Sequence, residues 1–285
     1  MGFLVGVANA FTASFQNSFF KKLPGVSSFV LNWYRFAVAL PILALLVSVF
    51  SEWRAPGAPL FWGILLGVSL PVELAQSYFY VASFQRSPQS IIGPLFTLSV
   101  LFLVPLSYVV NGEIPSPLGF LGIISVILGP FFLGWQSGGL RFSTALRSVW
   151  HEPGTWRMLA SAFFAALAVT FSKFSYRYVP PLVFAFYITA ALFVVISVYL
   201  LLRRQSLRPA AKFETLGMSA SYGFGQALHY VGLSLLLAAY YISVKRLSVI
   251  FDVIFGRFMH REEHFGKRMI GAVLMVAGVV LVAFG

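Results

Sequence analysis

The sequence predicts an all-α multi-pass membrane protein, and its composition and its hydrophobic pattern both support this fold class. Of the 285 residues, 59% are hydrophobic and only 10% are charged, whereas about a quarter of the residues of a soluble domain are charged. The apolar residues form continuous runs and do not alternate with polar ones, which favours helical spans over a β-barrel. We therefore expect the chain to lie within a lipid bilayer.

Ten apolar runs approach the roughly 20 residues that a helix needs to cross the hydrocarbon core of a bilayer. We predict spans at 3–20, 27–50, 60–83, 89–110, 116–136, 156–177, 182–202, 215–234, 237–259 and 266–284. The connections contain turn residues and charges, as in "KKLPGVSS", "SEWRAPGAP" and "HREEHFGKR", which are typical of helix ends. The sequence thus predicts ten transmembrane helices.

The two halves of the chain contain a similar pattern of acidic and glycine residues. The residues that recur in the same order and spacing are Glu113, Gly122 and Gly129, then Glu262, Gly271 and Gly278. We predict a first five-helix repeat at 1–136, a connecting loop at 137–155 and a second five-helix repeat at 156–285. Five spans are an odd number, so the second repeat would be inverted, as in many transporters. The alternatives are chance, and glycines that serve only close helix packing.

Charge and motifs exclude several classes of function. The net charge is +12, but the cations lie in short connections and not on a soluble basic surface, which argues against nucleic-acid binding. There is no cysteine, and we find no catalytic or metal-binding motif and no phosphate-binding loop. We therefore expect no enzyme, no cofactor and no metal, including no intramembrane enzyme that acts on lipid phosphates.

The distribution of Lys and Arg predicts an orientation in the membrane. Most of these residues lie in the odd-numbered connections, whereas the even-numbered ones contain only Arg54 and Arg177. Because cytoplasmic loops are rich in positive residues, the odd connections are predicted to be cytoplasmic and both termini to be outside.

The ninth predicted span, "AAYYISVKRLSVIFDVIFGRFM" (238–259), contains the adjacent cations Lys245 and Arg246 near its middle. A cation at this depth costs about 2.5–3.5 kcal/mol on insertion scales, so it faces a protein interior or a wet cavity. Tyr241, Lys245 and Asp252 fall on one helical face, at a spacing that predicts a polar stripe. We interpret these residues as candidates for binding a ligand.

Other spans contribute polar residues at helical spacing. The further candidate binding residues are Asn9, Arg35, Glu73, Gln76, Tyr80, Lys173, Gln226 and His229. Three or more residues inside the ends of the predicted spans, the four cations Arg35, Lys173, Lys245 and Arg246 outnumber the two acids, Glu73 and Asp252. We interpret the surplus as a site for a mobile anion, because Arg and Lys bind phosphate and carboxylate oxygens well.

A simpler alternative accounts for the same charges without a ligand. Glu73 and Asp252 could pair with two of the cations, while Arg35 and Lys173 lie near the membrane surface. His229 could be a packed, hydrogen-bonded residue. Glu113 and Glu262 are expected to be helix-cap or turn residues.

Several stretches resemble a known family. "NGEIPSPLGFLGIISVILG" and "HREEHFGKRMIGAVLMVAGVVLV" resemble the pattern that closes each half of EamA-type members of the drug/metabolite transporter superfamily, and "NWYRFAVALPILALL" resembles their second span. "ISVKRLSVIF" is similar to the ninth-span Lys-Arg pair of plastid phosphate translocators, where the pair binds phosphate. The resemblance implies that Lys245 and Arg246 are anion ligands. It also implies cytoplasmic termini, opposite to the charge distribution.

Together these features predict a secondary transporter that moves a small anionic or zwitterionic metabolite by alternating access, in the inner membrane of a bacterium. Its partners would be the small-molecule cargo and the lipid bilayer. The alternatives are a proton-coupled exporter of amino acids or drugs, and a flippase for a lipid or a lipid carrier.

Overall fold

The structure, a computed structural model, describes residues 1–20, 23, 25–54, 56–87, 94–138, 153–207, 212–251, 254–255 and 265–284. Within these ranges all regular secondary structure is helical. The helices are α1 (Gly2–Phe20), α2 (Ser28–Phe50), α3 (Pro59–Ile64), α4 (Leu70–Phe84), α5 (Ser99–Asn111), α6 (Pro117–Gly138), α7 (Thr155–Ser175), α8 (Pro181–Leu202), α9 (Lys212–Leu235), α10 (Ala238–Lys245) and α11 (Phe265–Phe284).

Two short irregular helices complete this order. A π-helical turn, Leu65–Ser69, joins α3 to α4, and a 3₁₀ turn, Pro94–Leu98, leads into α5. Proline begins α3 and α8, where a missing N–H costs nothing. Gly112 directly follows the last residue of α5, and its φ of 72° is the left-handed conformation that glycine adopts without strain. The predicted breaks thus contain the residues that end and begin helices.

Four helical stretches among the described residues have the length and apolar composition of a membrane span. They are Ser28–Phe50, Pro59–Phe84, Thr155–Ser175 and Pro181–Leu202, and two shorter apolar helices cover Leu95–Asn111 and Pro117–Leu128. These helices agree with an all-α membrane protein. The total of ten spans stays a prediction.

α10 differs from the sequence prediction, which placed one continuous helix over 237–259. Its α-helical part ends at Lys245, and a turn at Arg246 and Leu247 precedes further helical residues at 248–251. The backbone hydrogen bonds tighten there, since Leu247 N–H donates to Val244 and Val249 N–H donates to Arg246. A short 3₁₀ stretch inside a helix often marks a functional hinge or a strained sequence. The sequence contains no Pro or Gly at this break, which is why the pattern missed it.

The helices of the first half pack mainly against helices of the second half. α1 packs against α9 and α10, α4 and α5 pack against α7, α2 packs against α8 and α9, and α6 packs against α11. At the contact between α6 and α11, a Cβ built on Gly122 would lie 2.5 Å from the Gly278 carbonyl oxygen, and one built on Gly278 would lie 2.8 Å from the Gly122 oxygen. The two backbones therefore touch, which small residues permit between membrane helices.

Candidate binding cavity

A polar cavity of about 150 Å³ lies among α1, α2, α4, α7, α9 and α10. An apolar cavity of roughly this size in another protein holds benzene, so a compact metabolite fits. The predicted site residues that line it are Asn9, Arg35, Glu73, Gln76, Tyr80, Gln226, His229, Lys245 and Arg246. Residues from distant parts of the sequence thus converge on one site.

Lys245 lies at the end of α10 and reaches a ring nitrogen of α9. Its Nζ is 3.4 Å from Nδ1 of His229. Because an ammonium group can only donate, Nδ1 accepts and the imidazole proton belongs on Nε2. Among the described residues no carboxylate lies within 4 Å of Lys245. Its charge is therefore left without a fixed acidic partner in this part of the chain.

Arg246 follows directly and is only 6% exposed. Its guanidinium donates to the Ser99 hydroxyl at the start of α5 and stacks over the Phe96 ring, 4.1 Å from the centroid. Its Nε has no hydrogen-bond partner among the residues that the structure describes. The guanidinium is thus held in place by one hydroxyl and one ring, with a donor left over.

The end of α10 gives both cations a favourable electrostatic position. The last carbonyl groups of a helix form the negative end of its dipole, which favours a nearby cation by about 0.3–1 kcal/mol at an exposed site. Lys245 is the last residue of α10, and Arg246 is its C-cap. The break in the helix therefore offsets part of the cost of placing two cations in an apolar bundle.

Arg35 approaches the cavity from α2. It is 6% exposed, its Nη1 donates to Asn32 Oδ1 at 2.5 Å, and its guanidinium lies 4.1 Å from the centroid of the Tyr222 ring. Ser77 donates to the same Asn32 oxygen at 3.1 Å. Arg35 therefore faces the protein interior and not the outer surface of the bundle.

Of the described residues that line the cavity, one is acidic, and it is Glu73. It accepts a hydrogen bond from the Tyr230 hydroxyl at 3.3 Å. The described lining also includes three cations, Arg35, Lys245 and Arg246. The described wall therefore has more positive than negative groups, and a bound anion would balance it.

Two predicted site residues lie away from the cavity, and the position of a third is not described. Tyr241 is fully buried in the core, and its hydroxyl donates to the Leu228 carbonyl at 3.2 Å. Lys173 forms an ion pair with Glu113 and also donates to the Leu236 carbonyl at 2.5 Å. Neither residue lines the cavity, so for these two the placement predicted from the sequence is corrected. Asp252 lies outside the described residues.

Glu113 is predicted from the sequence to be a cap or turn residue, and two hydrogen bonds agree with that prediction. Its Oε2 accepts from the backbone N–H of Ala238 at 2.8 Å and from the Ser107 hydroxyl at 3.1 Å. Ala238 is the first residue of α10. A carboxylate at a helix N-terminus is favoured by the helix dipole, so Glu113 caps a helix that is distant in sequence.

Sequence reasoning missed Phe96 and Ser99 as partners of Arg246. An aromatic ring in an apolar run has no pattern that separates a cation–π partner from a lipid-facing residue. Ser99 lies far from Arg246 along the chain, and only the packing of α5 beside α10 brings the two together.

An apolar helical bundle around a polar, cation-rich cavity has the architecture of a membrane transport protein. Comparison with known proteins agrees with this class and makes it specific. The EamA-like transporter family matches residues 1–135 and 153–284. The chain therefore belongs to the EamA-like transporter family, within the drug/metabolite transporter superfamily.

The individual proteins to which the chain is similar have low sequence identity to it. The chain is similar to an uncharacterized transporter of Methanothermobacter thermautotrophicus strain Delta H, with 29% identity over 191 residues that make up 66% of this chain. The match spans 54% of that relative, so the chain aligns with about half of its length. A solved protein structure aligns with 99% of this chain and 96% of its own, with a TM-score of 0.75 and 18% identity. At that identity the likeness shows the fold alone.

Proposed function

We propose that the protein is a secondary active transporter of a small organic metabolite that carries an anionic group. The observation that carries this proposal is the position of Lys245 and Arg246, which line the cavity without a carboxylate within 4 Å in the described part of the chain. Removing an ion from water costs several kcal/mol even after relaxation. A negatively charged cargo would offset that cost, whereas a neutral one would not.

The same charges predict how transport is coupled. An alternating-access cycle passes through a state in which the cavity is closed to both sides, and closing it empty would bury more cations than the single carboxylate of Glu73 can balance. A loaded cavity closes more readily, because the cargo stabilises the closed state by its differential affinity for it. The carrier then returns only with cargo, so exchange of one anion for another is the expected activity.

The packing of the helices supports an inverted repeat as the moving framework. Let α3 and α4 count as one span, so that the five spans of α1–α6 correspond in order to α7, α8, α9, α10 and α11. The contact of α1 with α9 then corresponds to that of α7 with α4, and both are present. The contact of α1 with α10 corresponds to that of α7 with α5, and both are again present. A broken helix at the site, as at the end of α10, is also typical of such transporters. We propose that the protein lies in the inner membrane of a bacterium.

Glu73 favours a second candidate function. Acidic groups in the cavities of transporters act in proton relays, and Glu73 lines this cavity beside the Tyr230 hydroxyl. Proton-coupled export would then replace exchange, with Glu73 as the group that gains and loses the proton.

The test is transport by purified protein in liposomes. We expect uptake of a labelled small carboxylate or phosphate ester to be at least ten-fold faster into vesicles loaded with the same anion than into empty ones. Arg246→Gln should abolish the exchange, whereas Arg203→Gln, at an exposed arginine beyond the end of α8, should not. Equal uptake into loaded and empty vesicles contradicts exchange. Uptake that follows an imposed pH gradient and is lost in Glu73→Gln supports proton coupling instead.

A further inference from the structure

We propose that Asn9 selects cargo in which a hydrogen-bond donor, a hydroxyl or an ammonium group, lies close to the anionic group. This inference rests on the proposed function and refines its substrate class from any small anion to a hydroxylated or aminated one. It starts from the side-chain amide of Asn9, which lines the cavity from α1 and is 2% exposed.

The orientation of the Asn9 amide follows from its partner. Its Nδ2 donates to the backbone carbonyl of Gly225 on α9 at 2.5 Å. A carbonyl oxygen can only accept, so the NH₂ group has to face Gly225 and the two ends of the amide cannot be exchanged. A Cβ on residue 225 would lie 3.1 Å from Thr12 Oγ1 and 3.6 Å from Asn9 Nδ2. Glycine therefore allows α9 to come close to α1 at this point.

The amide oxygen of Asn9 is left as an unsatisfied acceptor. Oδ1 is buried, and no donor of the described residues lies within hydrogen-bond distance of it. Three hydroxyl donors of the cavity wall already have acceptors. Thr12 donates to the Asn9 carbonyl at 2.9 Å, Tyr80 to Asn17 Oδ1 at 3.1 Å and Tyr230 to Glu73 at 3.3 Å. A donor on the cargo would satisfy an oxygen that these side chains do not.

Arg246 supplies the complementary half of the site. Its Nε is a buried donor without an acceptor among the same residues, and α10, which it ends, packs against α1. The cavity wall thus contains one unsatisfied acceptor and one unsatisfied donor that belongs to a cation. A cargo with an anionic oxygen and an adjacent hydroxyl or ammonium matches both groups, whereas a simple carboxylate matches only Arg246.

Discrimination of this kind is strong in other binding sites. A site built to hydrogen-bond a hydroxyl or amino group disfavours the analogue that lacks it, because a buried polar group is then left unpaired. For one neutral amide acceptor we expect a preference of roughly ten-fold to one hundred-fold.

The experiment compares matched cargoes in the liposome exchange assay. Lactate and alanine are compared with propionate, which lacks their hydroxyl or ammonium group, and glycerol 3-phosphate is compared with propyl phosphate. Each compound is tested as a competitor of the uptake of the labelled anion and as the substrate of exchange. We expect the donor-bearing member of the transported pair to be favoured at least ten-fold by wild-type protein. Faster exchange of lactate, alanine or glycerol 3-phosphate identifies which donor and which anion the site accepts.

Two variants of α1 distinguish Asn9 from its surroundings. Asn9→Ala should reduce the preference to less than about three-fold, since removal of the amide removes the acceptor. Asn17→Ala is the matched control, because Asn17 is also a buried asparagine of α1 at the cavity and its Oδ1 is already occupied by Tyr80. It should keep the wild-type preference even if its overall rate falls.

The outcomes separate this inference from the proposed function. Exchange of propionate as fast as lactate and alanine, or an Asn9→Ala protein that discriminates like wild type, overturns the role of Asn9 and leaves anion transport standing. Failure of folded wild-type protein to exchange any of the five probes overturns the proposed function together with this inference. The comparison of cargoes uses wild-type protein, so its result does not depend on whether any variant folds.

Discussion

Two groups of cations in the predicted spans have opposite surroundings. Lys173 pairs with Glu113 and donates to the Leu236 carbonyl, whereas the direct contacts of Lys245 and Arg246 with the described residues are to the neutral side chains of His229, Ser99 and Phe96. All three are similar in sequence terms, since each is a cation inside an apolar run. The difference shows that the partner decides the role: a fixed carboxylate makes a cation structural, and an open cavity leaves it available to a ligand.

Both groups contact α10, at its two opposite ends. Its N-terminus is capped by Glu113 through the Ala238 N–H, and its C-terminus ends at Lys245 and Arg246. This eight-residue helix therefore has a carboxylate at its positive end and cations at its negative end, the arrangement that the helix dipole favours. The paired group holds the helix in place, and the unpaired group faces the cavity from its other end.

The largest expected effect is a loss of transport when one of the two cavity cations, Lys245, is replaced. Lys245→Met should lower the rate of anion exchange at least about 30-fold, because loss of one partner of a buried charged contact costs about 2–5 kcal/mol. The Tm in detergent should change by less than about 3 °C, since roughly that shift corresponds to 1 kcal/mol. Initial exchange rates and thermal unfolding of the same preparation check both. Normal exchange by this variant would falsify a role for Lys245 in cargo binding.

The opposite result is expected for Lys173→Met. It leaves the Glu113 carboxylate, which is 11% exposed, without its ion pair. Breaking a buried pair from one side costs about 3–5 kcal/mol, and the exposed fraction places this pair at the lower end. Thermal unfolding should therefore show a clear loss of stability, while exchange per folded molecule is retained.

A double-mutant cycle tests the coupling in that pair. Glu113→Gln together with Lys173→Met should be less destabilised than the sum of the two single variants, because no charge is left unpaired. Strict additivity of the three changes in unfolding free energy, from denaturant titration in detergent micelles, contradicts a structural ion pair at this position.

A smaller effect is expected from Gly119→Ala, next to the capped end of α10. A methyl group there would overlap the Tyr240 ring and hydroxyl, and overpacking costs about 1–3 kcal/mol. Gly63→Ala on α3 is the matched control, since nothing lies within 4 Å of its Cβ position. The control should be neutral or slightly stabilising. Equal melting temperatures for the two variants would show that Tyr240 can move aside freely.

The smallest effect is expected from Tyr240→Phe. The Tyr240 hydroxyl accepts from the Ser116 N–H at 2.9 Å and donates to the Ser116 Oγ at 3.3 Å. Loss of this contact should cost about 1 kcal/mol. Tyr108→Phe, at an exposed tyrosine of α5, is the control in the same unfolding measurement. A loss in the control as large as in Tyr240→Phe means that the hydrogen bonds to Ser116 add no stability.

Much of the candidate site could be predicted from the sequence, because polar residues at helical spacing in an apolar run are costly unless they face a common interior. Asn9, Glu73, His229 and Arg35 were found in this way and do line the cavity. The same reasoning failed for Lys173. Its partner Glu113 lies on another segment, and spacing along one helix contains no information about contacts between helices.

The sequence by itself determined the environment and the local structure of this protein. Continuous apolar runs have to satisfy their backbone groups internally in a bilayer, so they become helices, and Pro and Gly mark where those helices begin and end. Only the tertiary structure decided which cations keep a fixed partner, where α10 breaks and which ring lies under Arg246. Those outcomes depend on distances between segments that are far apart along the chain, and the periodicity of a single helix does not specify them.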